Sequence, residues 1–338
     1  MANKILVKAP AKINLFLDVK YKRDDGYHEI ETVMQQISLV DDILIESWAR
    51  GIEINIDRAD IPDNEDNLVY QAAEKILNRY APQSGVRITV KKNIPVGAGL
   101  AGGSTDAAAT LMGIKRLYNL GISHRALMGI AAELGSDVPF CLMGKTLVAR
   151  VKLRGEWQEL MIPRGSTALG LGRGERLTQI SDVLLNMVIV KPPFFLSTSY
   201  VYQNLDLNII EKQPNISAFI EAWNQCDIIN IAAHMKNVLE SVSTTKYPEI
   251  SNIKEQLLNL GAAGAIMSGS GPSVVGVFLE KNLAIKAVNI LKKRYKEVYL
   301  VSSYCKGGYY GKKAVTRRSG FLQAAQRASI GSNSRGNY

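Results

Sequence analysis

A run of small residues constrains this chain more than any other feature. Residues 95–106 read P-V-G-A-G-L-A-G-G-S-T-D, and an alanine-rich segment follows them. A backbone with almost no side chains can approach a ligand closely and can point its N–H groups inward. The alanine-rich segment predicts a helix that starts near Ser104, and a helix N-terminus carries about half a positive charge. The stretch therefore predicts an anion-binding loop, with phosphate as the expected ligand.

Three better-known glycine loops are not favoured. The stretch contains the spacing G-x-G-x-x-G of dinucleotide sites, but residues 107–132 hold no Asp or Glu that could bind a ribose. The G-K-T at residues 144–146 would need a glycine at position 139 to form a Walker A loop, and that residue is Pro139. The D-F-G motif of protein kinases is absent. A turn that merely caps a helix remains an alternative for the loop taken alone.

Length and composition predict a globular cytoplasmic protein. The chain has 338 residues and is 46% hydrophobic, which favours two domains with buried cores. No run of about 18 apolar residues predicts a membrane span. A strand is predicted within a few residues of Met1, so we expect no signal or transit peptide. The three cysteines are far apart in sequence, and we expect reduced thiols without a disulfide or metal role.

The net charge of +10 is concentrated in two segments. Residues 306–338 contain seven basic and no acidic residues, and residues 145–165 contain five basic and two acidic residues. These two segments account for the whole excess. A basic surface across a folded face, which nucleic-acid binding would require, is therefore not predicted.

Two polar side chains are predicted to project together from the first strand. Residues 5–21 are strand-like, and from Ala11 onward apolar and polar residues alternate. The alternation places Lys12 and Asn14 on the same face. An exposed strand face with ordinary polar residues would explain this pair equally well.

A turn at residues 23–27 is followed by a predicted strand that begins at His28 and continues to residue 36. Tyr27 and His28 could supply a stacking face and a polar group for a planar ligand. A structural role for the histidine is the alternative. Residues 43–46, 51–56 and 86–91 are predicted to complete a meander of strands.

Helices are predicted at residues 67–80, with Asn67 as N-cap, and at 123–134, with Ser123 as N-cap. Asp137 follows the second helix after Gly135 and Ser136, and it precedes an apolar Val-Pro-Phe sequence. A carboxylate in that setting would be partly desolvated, and such a group usually needs a partner.

The remaining chain predicts an inserted hairpin, a second α+β unit and a tail. Residues 151–163 alternate as a hairpin would, whereas from Met187 strands and helices follow one another in the order of an α+β sandwich. A second small-residue loop occupies residues 268–273, where a plain hairpin turn is the alternative to a ligand contact. Residues 311–338 are rich in Ser, Gly, Arg and Asn, and we expect them to be disordered.

Six motifs together resemble the GHMP small-molecule kinases. They are A-P-A-K-I-N-L (9–15), G-Y-H (26–28), the glycine stretch (95–106), G-S-D-V-P-F (135–140), G-R-G-E (172–175) and G-S-G-P-S (269–273). The combination of the first two motifs resembles the branch of this family that acts on 4-diphosphocytidyl-2-C-methyl-D-erythritol in the non-mevalonate isoprenoid pathway. The resemblance implies a cytoplasmic ATP-dependent kinase that phosphorylates the 2-hydroxyl of this compound, as a monomer or homodimer without nucleic-acid or membrane partners.

The resemblance implies an α+β fold of two domains. Residues 1–183 would form the ATP-binding domain, of the ribosomal S5 domain 2-like type, with an insertion at about 145–165. Residues 184–310 would form a ferredoxin-like α/β sandwich, and 311–338 would be the basic tail.

The resemblance also implies the site residues. Lys12 and Asp137 would be catalytic, with Asp137 as the base that Lys12 keeps ionised. The implied binding residues are Pro95, Val96, Gly97, Ala98, Gly99, Leu100, Ala101, Gly102, Gly103, Ser104 and Thr105 for ATP, Ser104 or Thr105 for Mg²⁺, and Asn14, Tyr27, His28, Tyr202 and Gly271 for the second substrate.

Two rival functions remain open at this stage. A GHMP kinase for homoserine, mevalonate or a sugar would share the glycine stretch but not the first two motifs in combination. An RNA-binding protein with an S5-like domain would use the basic tail, but it would leave Lys12, Asp137 and the glycine stretch without a role.

Overall fold

A computed structural model describes residues 4–143, 149–153, 156–160, 166–209 and 214–304. The first part of the chain contains β1 (Lys4–Lys22), β2 (His28–Trp48), β3 (Ile52–Ile56), α1 (Leu68–Tyr80), β4 (Gly85–Lys91), α2 (Gly102–Leu117), α3 (His124–Leu134), α4 (Val138–Met143), β5 (Ala149–Leu153), β6 (Glu156–Leu160), β7 (Thr167–Gly172) and β8 (Arg176–Gln179). The second part contains β9 (Asn186–Lys191), α5 (Thr198–Gln203), a 3₁₀ turn (Leu207–Ile209), α6 (Ile216–Asn224), α7 (Ile228–His234), β10 (Lys236–Asn237), α8 (Glu240–Lys246), α9 (Glu249–Asn259), β11 (Gly264–Met267), β12 (Val274–Phe278), α10 (Lys281–Leu291) and β13 (Glu297–Ser302).

The larger sheet is built on the long antiparallel pair β1 and β2. Within the described ranges it has nine strands, with the path β3-β4-β2-β1-β5-β6, while β7 and β8 continue from β2 and β10 pairs with β1. The strands predicted at 28–36 and 43–46 form one continuous β2, because β1 pairs with β2 on both sides of the intervening residues. The predicted meander is wrong at β3 and β4, which run parallel to each other with α1 as the crossover between them.

Helices α1, α2 and α3 cover the larger sheet and bury its apolar residues. Both predicted caps are confirmed: the Asn67 side chain accepts a hydrogen bond from Val69 N at 2.8 Å, and the Ser123 hydroxyl accepts one from Ala126 N at 3.2 Å. At the middle of α2, a Cβ on Gly113 would lie 2.2 Å from a side-chain carbon of Ile45 in β2. A larger residue at this position would force the Ile45 side chain to move, so glycine favours the close approach of α2 to the sheet.

The second sheet is antiparallel, with the order β11-β12-β9-β13. Helices α9 and α10 pack against it through buried residues such as Leu257 and Leu291, and the predicted α+β sandwich is confirmed in kind. The hairpin predicted at 151–163 is present as β5 and β6, and β5 pairs with β1. The predicted tail at 311–338 lies outside the described residues. None of the described helices combines the length and the hydropathy needed to cross a membrane.

Candidate active site

A cavity of about 1130 Å³ collects the polar and aromatic residues singled out in the sequence. Its volume exceeds the roughly 300–1,000 Å³ typical of a pocket for one small molecule. Of the predicted site residues, those in its lining are Lys12, Asn14, Tyr27, His28, residues 95–104, Asp137, Tyr202 and Gly271. Thr105 is not part of the lining, because it is buried and its hydroxyl donates to Pro10 O at 2.8 Å.

The glycine loop leads directly into α2, which begins at Gly102, two residues earlier than expected. The N-cap residue is Ala101, in a left-handed conformation with φ of 55°, and no described side chain caps the helix. Its first N–H groups are therefore available to an anion. At Gly99 φ is +72°, and a Cβ there would lie 2.2 Å from Ser268 O. Only glycine fits at this point of the loop.

Lys12 and Asp137 form an ion pair at the wall of the cavity. The Lys12 ammonium lies 3.3 Å from Asp137 Oδ1 and donates to Asn14 Oδ1 at 2.8 Å. The side chain of Lys12 is 6% exposed, whereas that of Asp137 is 39% exposed. The Asn14 amide is oriented by its own Nδ2, which donates to the Thr32 hydroxyl at 2.8 Å. The ammonium is thus fixed in the wall while the carboxylate faces the cavity.

The register of β1 explains how Lys12 and Asn14 come to lie together. Its pairing with β2 is regular from Lys12 to Asn14, which keeps the two side chains on one face, and the irregularities lie just before Lys12 and just after Asn14. Lys12 N also donates to Leu100 O at 3.1 Å, which joins β1 to the glycine loop. The predicted side-by-side projection is present, but the exposed-face alternative is wrong because both residues are buried.

Aromatic side chains line one part of the cavity, the aromatic end. The Tyr27 ring is 51% exposed, and the Arg173 guanidinium lies 4.6 Å from its centroid. The rings of His28 and Tyr202 have centroids 5.1 Å apart. Burial, together with the nearby charge of Lys22, lowers the pKa of His28 below its usual 6.5. This end therefore offers flat ring faces and a neutral imidazole at pH 7, which suits an uncharged heterocycle.

A buried charge cluster beneath the glycine loop was not found from the sequence. The Lys92 ammonium contacts Asp41 and also Asp106 Oδ2, the latter at 2.6 Å. Asp41 Oδ1 accepts from Ile94 N at 2.8 Å, at the start of the loop. Burial raises the pKa of Asp106, which Lys92 opposes and Asp41 reinforces. The sequence did contain an indication of this cluster, because Asp106 is an acidic residue within an otherwise apolar helix. Its partners, however, come from two other elements.

The described residues contain no group of three or more His, Cys, Asp or Glu side chains arranged to hold a metal ion. Of the two hydroxyls considered for Mg²⁺, that of Thr105 is buried and donates to Pro10 O, whereas Ser104 lines the cavity at the start of α2. Ser104 is therefore the hydroxyl that could reach a metal ion carried by a bound phosphate.

Comparisons with known proteins agree with this geometry. Residues 67–145 match the GHMP kinases N terminal domain, and residues 217–297 match the GHMP kinases C terminal domain. The chain is 52% identical over 305 residues to 4-diphosphocytidyl-2-C-methyl-D-erythritol kinase from Syntrophomonas wolfei, covering 90% of this chain and 100% of the relative. It is 43% identical to the enzyme of that name from Acetivibrio thermocellus, covering 88% of this chain and 99% of the relative.

Solved structures show the same two-domain fold. A crystal structure of 4-(cytidine 5'-diphospho)-2C-methyl-D-erythritol kinase has a TM-score of 0.73 at 30% identity, covering 90% of this chain and 100% of that one. Homoserine kinase from Cytophaga hutchinsonii shares the fold alone, with a TM-score of 0.60 at 21% identity and coverage of 90% and 95%. The chain belongs to the GHMP kinase family, and within it to the 4-diphosphocytidyl-2-C-methyl-D-erythritol kinases.

Proposed function

We propose that this protein transfers the γ-phosphoryl group of ATP to the 2-hydroxyl of 4-diphosphocytidyl-2-C-methyl-D-erythritol, in the non-mevalonate route to isoprenoids. The observation that carries the proposal is the position of the Lys12–Asp137 pair in one cavity with the glycine loop and the aromatic end. A donor phosphate on the loop and a cytidine among the rings would meet at this pair. Identity of 52% over a full-length relative supports the same acceptor.

The glycine loop and α2 would hold the donor phosphates. The uncapped N-terminus of α2 offers N–H groups and the positive end of the helix dipole. Mg²⁺ bound with ATP would neutralise phosphate charge, and Ser104 is the hydroxyl placed to reach it. Apolar residues farther along the lining, among them Leu68 and Val90, could receive the adenine ring.

Asp137 would act as the general base. Its carboxylate accepts the proton of the 2-hydroxyl as that oxygen forms a bond to the γ-phosphorus, and the bond from phosphorus to the bridging oxygen of ADP breaks. Lys12, held in the wall by Asn14, stabilises the negative charge that builds up on the transferred group. The products are the 2-phosphate and ADP, and the proton remains on Asp137 until solvent removes it.

The aromatic end would recognise the cytidine. Tyr27 and Tyr202 can present ring faces to the base, and the neutral imidazole of His28 can accept a hydrogen bond from the cytosine amino group. Asn14, which contacts Lys12, and Gly271 both line the cavity and would contact the sugar alcohol.

The test compares the natural protein with Asp137→Asn, which keeps the shape of the side chain but removes its basicity. We expect Mg²⁺-dependent phosphorylation of the cytidine substrate, and a fall in kcat of about 10² to 10⁴ in the variant. Calorimetry should show ATP binding by both proteins. Asp66→Asn, which changes an exposed carboxylate before α1, is the matched control and should retain full turnover.

Two results would contradict the proposal in different ways. Turnover of homoserine or mevalonate in preference to the cytidine compound would refute the acceptor while leaving the kinase activity intact. An Asp137→Asn variant that retains more than a tenth of the natural kcat would refute the assignment of the base.

A further inference from the structure

The loop between β11 and β12, residues 268–273, meets three separate parts of the candidate site. It contacts the glycine loop, strand β1 at Asn14, and helix α5, which carries Tyr202. Gly269, Ser270 and Gly271 line the cavity, whereas Ser268 lies behind them and is fully buried. Ser268 cannot touch a substrate directly, so any effect on the reaction must pass through its neighbours.

The hydroxyl of Ser268 bridges the donor and acceptor sides. It donates to Gly99 O at 2.9 Å, in the glycine loop, and accepts from Asn14 N at 3.3 Å, in β1. Asn14 in turn accepts a hydrogen bond from the Lys12 ammonium. One buried oxygen therefore joins the segment that would hold the γ-phosphate to the segment that would hold the reacting hydroxyl.

A second buried side chain fixes the backbone on which Ser268 stands. Asn237 Nδ2 donates to Met267 O at 2.8 Å and to Gly269 O at 2.7 Å, on either side of Ser268. Its Oδ1 accepts from Leu239 N at 3.0 Å, so the amide has its partners on both ends. Asn237 belongs to β10, which pairs with β1 beside Leu17. The bridge is thus anchored to the same strand that carries Lys12.

The loop also reaches the aromatic end. The hydroxyls of Ser270 and Thr198 lie 2.7 Å apart, and Thr198 is the first residue of α5. Tyr202 lies one turn farther along this helix. The loop therefore connects the ring that would bind cytosine with the glycine loop.

We propose that Ser268 is a positioning residue, which sets the separation between the donor phosphate on the glycine loop and the acceptor hydroxyl beside Asn14. Phosphoryl transfer depends on alignment more than on covalent chemistry, so a loose bridge lowers the rate of the chemical step. Each substrate keeps its own contacts when the bridge is lost. The expected loss of kcat rests on the proposed function, whereas the bridge between the two segments rests on the hydrogen bonds alone.

The experiment compares Ser268→Ala with Ser303→Ala. Ser303 has the same bonding pattern in another place: it is buried, accepts from Leu185 N at 2.9 Å and donates to Val183 O at 2.7 Å. Both variants should lose similar folding stability, because each loses two hydrogen bonds of the same kind. Only Ser268→Ala should lose kcat, by about tenfold, with both KM values within about threefold of the natural protein.

A second measurement needs no substrate. The amide of Asn14 donates to the Ser268 oxygen, so its hydrogen exchange should accelerate in Ser268→Ala and stay unchanged in Ser303→Ala. If Ser268→Ala does not fold, Ser268→Cys weakens the same two bonds and should give a smaller loss of kcat in the same direction.

Equal kcat values for Ser268→Ala and Ser303→Ala would overturn the positioning role. An unchanged exchange rate at Asn14 would overturn the bridge itself. If the natural protein does not turn over the cytidine substrate, the proposed function fails, and the exchange measurement still decides whether the bridge exists.

Discussion

Removal of the Lys92 ammonium should destabilise the fold strongly. In the natural protein this single cation lies between Asp41 and Asp106. The side chains of Lys92 and Asp106 are each 5% exposed, and that of Asp41 is fully buried. Burial opposes the charge on Lys92, but the two carboxylates outweigh burial and raise its pKa. The cation therefore stays protonated at neutral pH.

Lys92→Met keeps the length of the side chain and leaves two buried carboxylates without their cation. Breaking a buried ion pair by removal of one partner costs about 3–5 kcal/mol, and we expect a loss in that range at pH 7. Both carboxylates stabilise the cation, but they also repel each other, so the second carboxylate does not double the cost. In the described residues Asp106 Oδ1 has no hydrogen-bond partner even in the natural protein.

The free energy of unfolding is measured by urea denaturation at several pH values. Lys91→Met, which changes the exposed neighbour in β4, is the matched control and should stay within about 0.5 kcal/mol of the natural protein. The cost of Lys92→Met should shrink as pH falls, because protonation removes the uncompensated charges. A loss below about 1 kcal/mol at pH 7, or a loss that grows toward low pH, would refute this account of the cluster.

Two further predictions concern the aromatic end. Arg173→Ala should weaken binding of cytidine nucleotides about two- to fivefold, as expected for the loss of a cation–π contact with Tyr27 that contributes about 0.5–1 kcal/mol. The KM for ATP should stay unchanged, and an equal effect on ATP would contradict the prediction. For His28, whose pKa lies below 6.5, kcat/KM for the cytidine substrate should be constant above pH 7 and fall as pH drops below the lowered pKa, because the protonated ring cannot accept a hydrogen bond. A depressed histidine pKa also means that folding stability is lost as pH falls through 6.5, since the unfolded chain binds the proton more tightly. His28→Gln should reduce kcat/KM at neutral pH and remove this histidine-dependent acid limb, and an unchanged limb would show that another group causes it.

Local patterns predicted much of the fold, whereas pairing between distant strands could not be predicted. The caps at Asn67 and Ser123 depend on a few adjacent residues and were found where expected. The continuity of β2 through residue 40 depends on β1, which pairs with it on both sides. The parallel direction of β3 and β4 depends on how α1 packs, which no short pattern specifies. Periodicity identifies which residues are buried, but not which partner they meet.

The same distinction holds within the candidate site. The spacing of Lys12 and Asn14 in one strand predicted that they would lie together, and they do. Asp137 was expected to need a partner, and the resemblance suggested Lys12, which lies 3.3 Å away. The contact of Arg173 with Tyr27 was not predicted, because it joins a turn after β7 to the turn before β2. Contacts of this kind arise only when the sheet is assembled.

The hydrogen bonds of the glycine loop explain why so many separate segments surround it. Ala98 O accepts from Ser273 N, Gly99 O accepts from the Ser268 hydroxyl, and Leu100 O accepts from Lys12 N. Three consecutive carbonyl groups are thus satisfied by groups outside the loop. In the part of the chain that the structure describes, the amides of residues 96–101 donate to no protein acceptor.

A loop that kept its own backbone hydrogen bonds would have no N–H groups left for phosphate. A loop without any backbone hydrogen bonds would be too mobile to hold phosphate in line for transfer, since ordering the loop would cost conformational entropy at every binding event. Bonding only the carbonyls, from β1 on one side and the 268–273 loop on the other, meets both requirements. The fold must therefore bring residues near positions 12 and 268 to the same loop, and this is the physical reason that the site lies where β1 and the β11–β12 connection meet.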